Sequence, residues 1–358
     1  MLNELGDGKR ILLSSYVGSG KTSPVIFSSI NSYSNDVVIS VFKHNNYIPI
    51  INEINSISLS SNVSIDYAGI FGKEYMQDLD KPYFKRYFNP FEDSYYRTAL
   101  RLIRYSKIKI INARHILDPD LLIRALKRFN IIPKESTLIL DEAHNLLEEV
   151  ISRPKIIYNI RYIASAFKRS IFLSGTFIPK DFFLWLLLPD KYIEIKDSRR
   201  IKIFVSKNIN MSFVERPKNL ERVCRFLNEI SREKDVVAFF QNNSLKDYFR
   251  NKLSSRVTTE VFKGRLHESI SLEGKTIVAV GMPFPHLNVL ENIREIALCS
   301  GVRFNELLYG ITASRIIQMI GRAARHSYSS PEIFILDNRA LKGEFTKFLP
   351  KSYELSSF

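Results

Sequence analysis

Apolar positions along the chain fall into short, nearly continuous runs separated by stretches in which they recur at helical spacing. The runs Arg10 to Ser14, Val37 to Phe42, Lys107 to Ile111, Thr137 to Leu140 and Ile171 to Leu173 are rich in β-branched residues, the pattern of strands buried on both faces of a parallel sheet. Between them, Tyr47 to Ile57, Tyr95 to Arg104 and Asp120 to Phe129 carry helical periodicity. A second series predicts strands at Ile201 to Val205, Val236 to Phe240, Val257 to Phe262, Thr276 to Val280 and Glu332 to Leu336, with helices such as Leu220 to Ile230 and Thr312 to Ile320. The expected class is α/β, with two tandem domains of parallel sheet at 1–192 and 193–358. The boundary is set near Asp190 to Arg200, where a Pro189-Asp190 turn and the charged segment KDSRR break the periodicity. The aromatic, charged segment Gly69 to Phe91 reads as a small insertion or loop, and no internal repeat is present.

A length of 358 residues suits two cores of ordinary size. Lys and Arg outnumber Asp and Glu by 52 to 37, a formal charge of +15, which favours a polyanionic partner. The longest apolar run, Phe182 to Leu188, is far short of the ~20 residues that span a bilayer and reads as a buried helix. Met1 to Arg10 is polar and mixed in charge, so no signal peptide is expected. With only Cys224 and Cys299, and six scattered histidines, neither a disulfide framework nor a zinc site is expected, and a cytoplasmic location follows as the default.

Three segments carry chemistry. The first strand runs into Gly18-Ser19-Gly20-Lys21-Thr22 and then a helix whose first turn accepts Pro24. In that context the glycines let backbone N–H groups wrap phosphates, Lys21 reaches the β and γ oxygens, and the Thr22 hydroxyl ligates Mg²⁺. Thr137 to Leu140 ends in Asp141 and Glu142, a pairing that divides metal holding (Asp141) from water activation (Glu142). An Asp-Glu pair after a strand also serves as a helix N-cap; Lys21 upstream argues for the chemical role. In QMIGRAAR, 318–325, Arg322 and Arg325 share a helix face and could deliver guanidinium groups to a γ-phosphate, where two isolated arginines would more often be solvated.

DEAHN at 141–145, SGT at 174–176, GMPFP at 281–285, QMIGRAAR at 318–325 and LDNR at 336–339 occur in an order that resembles the XPD/DinG family of superfamily 2 helicases. The resemblance implies two RecA-like domains that close on Mg-ATP at their interface and step along single-stranded DNA, usually 5′ to 3′. It implies that His144, Ser174, Gly175, Thr176 and Glu268 couple hydrolysis to movement and that Gln318, Arg322 and Arg325 attend the γ-phosphate. Lys43 and His44 fall where the family places a DNA-contacting pair; a solvated turn is the competing reading.

The chain departs from the family in three places. It has no cysteines between the second strand and the DEAH strand, so no iron-sulfur cluster is expected. Only Leu146 to Ser170 stands where an arch domain would be, a length for one or two helices. Ser269 and Ser271 replace the Gly and Asp of a family segment that retains Glu268. The expected function is therefore an ATP-dependent translocase or helicase, a minimal form for which a protein partner could supply strand separation. The alternative is a helicase-derived nucleic-acid-binding or scaffold protein that does not unwind. An unrelated phosphate-loop enzyme such as a kinase would leave QMIGRAAR unexplained.

Overall fold

The computed structural model of the chain describes residues 9–16, 19–31, 36–70, 95–196, 199–262, 272, 274–324 and 331–358. The chain divides into two compact units, 1–15 with 19–175 and 183–195, and 16–18 with 176–182 and 196–358.

The first unit is built on a sheet of seven described strands: β1 (Arg10–Ser15), β2 (Val37–Val41), β3 (Tyr67–Ile70), β4 (Ile108–Asn112), β5 (Thr137–Leu140), β6 (Arg169–Ser174) and β7 (Lys191–Ile195). They are parallel and ordered β3-β4-β2-β5-β6-β1-β7. Helices cross over between them, among them α1 (Thr22–Asn31), α2 (Tyr47–Ser61), α3 (Tyr95–Leu102), α4 (Arg114–Leu117) and α5 (Pro119–Arg128). The central strands are buried throughout, as near-continuous apolar runs require once helices cover both faces. Between β5 and β6 the chain makes two helices, α6 (Asn145–Ser152) and α7 (Ile156–Ala166). The apolar run at 182–188 forms the buried helix α8 (Lys180–Leu187).

The second unit has six described strands: β8 (Ile201–Val205), β9 (Val236–Phe240), β10 (Val257–Val261), β11 (Thr276–Val280), β12 (Ile333–Ile335) and β13 (Tyr353–Ser357). They too are parallel, ordered β10-β9-β11-β12-β8-β13. Its helices include α9 (Arg216–Ile230), α10 (Asn243–Arg250), α11 (Leu290–Ser300), α12 (Phe304–Ala323) and α13 (Gly343–Thr346). One apolar cluster joins α12 to the inner face of the sheet through Ile316, Met319 and Ile320 against Val237, Ile277 and Ile335. A second, on the other face, packs α9 through Val223 and Leu227 against Val236, Ala238 and Val278.

Two helices are longer than the periodicity predicts. α9 starts at Arg216 because Pro217 fits a first turn, where its missing N–H is not needed. α12 starts at Phe304 and runs through Gly310, a residue that usually weakens a helix by ~1 kcal/mol. A Cβ at Gly310 would stand 2.4 Å from Pro179 Cγ, so close approach explains the glycine. Three strands, β3, β7 and β13, fall in segments without a strand signal, and all three are sheet edges.

Candidate active site

In a parallel sheet the carboxyl ends of the strands are where loops converge and ligands bind. In the first unit, β5, β6 and β1 are neighbours, so the DEAH turn, the SGT segment and the phosphate-binding loop leave the same edge side by side.

β1 delivers Ser15, whose buried hydroxyl donates to Ser19 Oγ at 2.6 Å. Gly20 has φ +68°, the left-handed region that glycine enters at no steric cost, and nothing lies within 4 Å of where a Cβ would stand. Lys21 is only 8% exposed, and Thr22 opens α1. Gly20 and the start of α1 supply the helix N-terminus that a phosphate cradle needs, and the charge of buried Lys21 reaches Asp141.

At the end of β5, Asp141 N–H donates to the Ser40 carbonyl at 3.1 Å and Ala143 N–H to the Leu173 carbonyl at 2.7 Å, which ties the DEAH turn to strands on both sides. Glu142 sits between them at φ +51°, an uncommon conformation for a residue with a Cβ. Asn145 secures it, donating to the Glu142 carbonyl through its backbone N–H and its Nδ2, each at 3.0 Å. His144 Nδ1 lies 2.9 Å from Ser174 Oγ and 3.1 Å from Glu142 Oε2, so one imidazole bridges the DEAH turn and the SGT segment. Gly175 ends the 19–175 stretch of this unit.

Burial pushes the Asp141 carboxyl up to about 6, the Glu142 charge adds to the rise, and the Lys21 ammonium opposes it. Two carboxylates and one ammonium thus feel each other's charge in a site that favours a further cation. The donor types fit Mg-ATP: N–H groups of Ser19 to Thr22 for phosphates, and the Thr22 hydroxyl and Asp141 carboxyl for a hard cation.

Lys43 is exposed at the end of β2, the strand beside β5, and His44 packs its ring 4.7 Å from that of Tyr47. Both stand on the same sheet edge as the nucleotide residues.

In the second unit, Thr176 is buried and accepts a long hydrogen bond from Gln318 Nε2 at 3.4 Å, while Ser314 Oγ lies 3.3 Å from the same nitrogen. An expected coupling residue and an expected γ-phosphate residue therefore meet. Arg322 stands half-buried in the last turn of α12. Gly18, Glu268 and Arg325, with Ser269, Ser271 and most of the 69–91 segment, lie outside the described residues.

The chain pattern flagged GMPFP and LDNR as motifs without assigning them work. Asp337 of LDNR is fully buried and accepts from Met282 N–H (3.2 Å) and from Arg339 Nε (2.9 Å) and Nη2 (2.7 Å). Gln241, after β9, donates to the Met282 carbonyl at 3.0 Å, and Arg315 Nη1 donates to the Pro283 carbonyl at 2.7 Å. Gly281 has φ +83°, and a Cβ there would lie 2.4 Å from Gln241 Nε2. The GMPFP loop is thus clamped from three sides. Arg315 and Gln241 carried no sequence signal beyond residue type.

Two parallel α/β units, the first with the Gly20-Lys21-Thr22 turn and a half-buried Asp-Glu pair on one sheet edge, define the class of tandem RecA-like P-loop NTPases. Residues 199–355 match the helicase C-terminal domain family. No curated protein matches the chain in sequence. Among solved structures, one of an XPD helicase is similar at 15% identity and a TM-score of 0.78, covering 100% of this chain and 97% of its own. Xpd4 from S. tokodaii is similar at 14% identity and 0.67, covering 99% and 97%. S. cerevisiae Dbp5 bound to RNA and ADP BeF3 is similar at 12% identity and 0.57, covering 98% and 85%. The chain shares its fold with solved XPD helicase structures, and its residues 199–355 match the helicase C-terminal domain family.

Proposed function

We propose that the chain is an ATP-driven motor that moves along single-stranded DNA, 5′ to 3′, with its domains divided at 192/193. The observation that carries this reading is the bridge from Glu142 through His144 to Ser174 beside Lys21 and Asp141. It joins the residues that would hydrolyse nucleotide to the segment that would transmit the result.

In this mechanism the N–H groups of Ser19 to Thr22 and the Lys21 ammonium hold the β and γ phosphates. Thr22 and Asp141 would hold Mg²⁺, whose chemistry when bound is to neutralise phosphate charge. Glu142, fixed by its left-handed turn, accepts the proton of the attacking water. His144 hydrogen-bonded to Ser174 moves with the charge on Glu142 and so passes the state of the site to the SGT segment. Gln318, Arg322 and Arg325 of the second domain would stabilise the γ-phosphate across the cleft, and Glu268 would take part in coupling. Lys43 and His44, at the end of β2, would meet the nucleic acid. The charge of +15 supports a polyanionic track.

The two short helices between β5 and β6 favour a second reading, a nucleic-acid-binding protein that needs a partner to part strands. An ATPase assay with and without single-stranded DNA or RNA, run beside strand displacement, decides between them. DNA-stimulated turnover that falls about 10²- to 10⁴-fold in Lys21→Ala and Glu142→Gln is expected. Turnover indifferent to nucleic acid, or surviving both substitutions, would sink the motor reading.

A further inference from the structure

The loops after β8, β9, β11 and β12 meet at the carboxyl edge of the second sheet, and one of them ends in an apolar tip. That loop, from Ser206 to Glu215, is rigidly based. Met211 is fully buried, Asn338 N–H donates to the Ile209 carbonyl at 2.7 Å, and Asn219 Nδ2 donates to the Asn210 and Glu215 carbonyls, each at 3.0 Å. On this base Phe213 is 86% exposed and Val214 74% exposed. Ordering an aromatic ring in water gains nothing for folding, because no apolar area is removed from solvent.

The turn closes with Arg216 N–H donating to the Ser212 carbonyl at 2.9 Å, so Phe213 and Arg216, three residues apart, are neighbours around it. Arg216 Nη2 donates to Gln241 Oε1 at 2.6 Å, while its Nε–H is buried and has no hydrogen-bond acceptor among the described residues. Asp337 already receives both arms of the Arg339 guanidinium, and Glu215 on the same turn is paired with Lys218 at 3.2 Å. The Arg339 fork thus occupies the buried carboxylate, while Arg216 feels its charge and is hydrogen-bonded to Gln241 instead. Burial and the Arg339 charge both make the charged form of Arg216 costlier, and only Asp337 offsets them. An added anion would complete this balance.

We propose that Phe213 and Arg216 form a base-and-phosphate subsite for single-stranded nucleic acid, a nucleobase stacking on the Phe213 ring while its phosphate meets the Arg216 guanidinium. This rests on the nucleic-acid reading of the chain. Charge complementarity favours that occupant: Lys207 of the same loop and Arg222 of α9, which donates to the Asn208 carbonyl at 3.3 Å, are both exposed in a chain of net charge +15. A protein docking on the tip is the competing occupant.

The test is fluorescence anisotropy of a labelled oligothymidylate, titrated with the full chain at several salt concentrations. Thermal melting verifies that each variant folds. Phe213→Ala is expected to weaken binding about 10-fold, the scale of one lost base stack, with the salt slope unchanged, and Phe213→Trp to restore it. Arg216→Lys keeps the charge and loses the fork, so it is expected to weaken binding without removing the salt slope; Arg216→Ala lowers the slope by about 1. Parent-like binding by a folded Phe213→Ala overturns the subsite and leaves the motor reading standing, and retained DNA binding with loss of a protein partner assigns the tip to protein instead. A parent chain that binds no oligonucleotide overturns both readings together.

Discussion

Replacing Asp141 by Asn removes a carboxyl that the fold holds protonated up to about 6, against an ordinary value of 3.8. Between those pH values the folded chain carries a proton that the unfolded chain has released. Unfolding then releases protons, so stability falls as pH rises through the window from about 4 to about 6 and stays lower above it. At ~1.4 kcal/mol per pH unit the full displacement is worth about 3 kcal/mol. Asp141 is half-buried by surface area and titrates beside Glu142, so solvent screening and shared protons reduce this to about 1–2 kcal/mol.

The assay is urea unfolding of the nucleotide-free chain in EDTA at half-unit steps from pH 4 to 7.5, for the parent and for Asp141→Asn. Every other titrating group is common to both, so the difference isolates this carboxyl together with its coupling to Glu142. Asp141→Asn should gain stability relative to the parent as pH rises, levelling off above about 6.5. In parallel, Mg-ATP affinity of the parent should rise through the same window, because the metal takes the ionised form. A difference curve flat between pH 4 and 6.5, or one of opposite sign, would refute the argument that burial and Glu142 dominate over Lys21 at this site.

Gly310→Ala should lower the unfolding midpoint: the new Cβ meets Pro179 Cγ at 2.4 Å, an overpacking of about 1–3 kcal/mol that exceeds the ~1 kcal/mol gained in helix propensity. Asp337→Ala removes the carboxylate paired with Arg339 and the acceptor of Met282 N–H, and should cost about 3–5 kcal/mol in urea unfolding, whereas a change under 1 kcal/mol would show that the clamp is slack. Lys109, 1% exposed, donates to the carbonyls of Ile103 at 2.8 Å and Ser106 at 3.1 Å and pairs with Asp36 at 3.4 Å. Lys109→Met keeps the stem but orphans those acceptors, so a loss of about 2–4 kcal/mol is expected, read as a lowered thermal midpoint.

How far the fold could be read along the chain depended on where each strand sits in its sheet. TLIL, VVAFF and TIVAV are central strands, buried on both faces, and their continuous apolar runs announce them. KYIEI and YELSS are edge strands with exposed or half-exposed positions, so charged and hydroxyl residues interrupt the run and the signal fades into that of a loop. YAGI, the opposite edge of the first sheet, is short and carries a glycine. β10 is an edge that could still be read, because VTTEV keeps β-branched residues through its polar positions.

The same distinction runs through the functional residues. Lys21, Asp141 and Glu142 are legible because each sits in a local segment, strand then loop, whose spacing is its own signature. The clamp on GMPFP has no such spacing: Gln241, Arg315 and Asp337 come from three elements separated by 96 positions of chain from first to last, and only the sheet order brings their loops together. Gly310 joins the two cases. Read along the chain it is a helix weakener, and the helix expected there begins only at Thr312. Read in the fold it is the one residue that lets α12 start eight residues earlier and still pass Pro179, and α12 is the helix that carries Ser314, Arg315, Gln318 and Arg322. The local cost of that glycine is what sets these side chains on a single continuous helix.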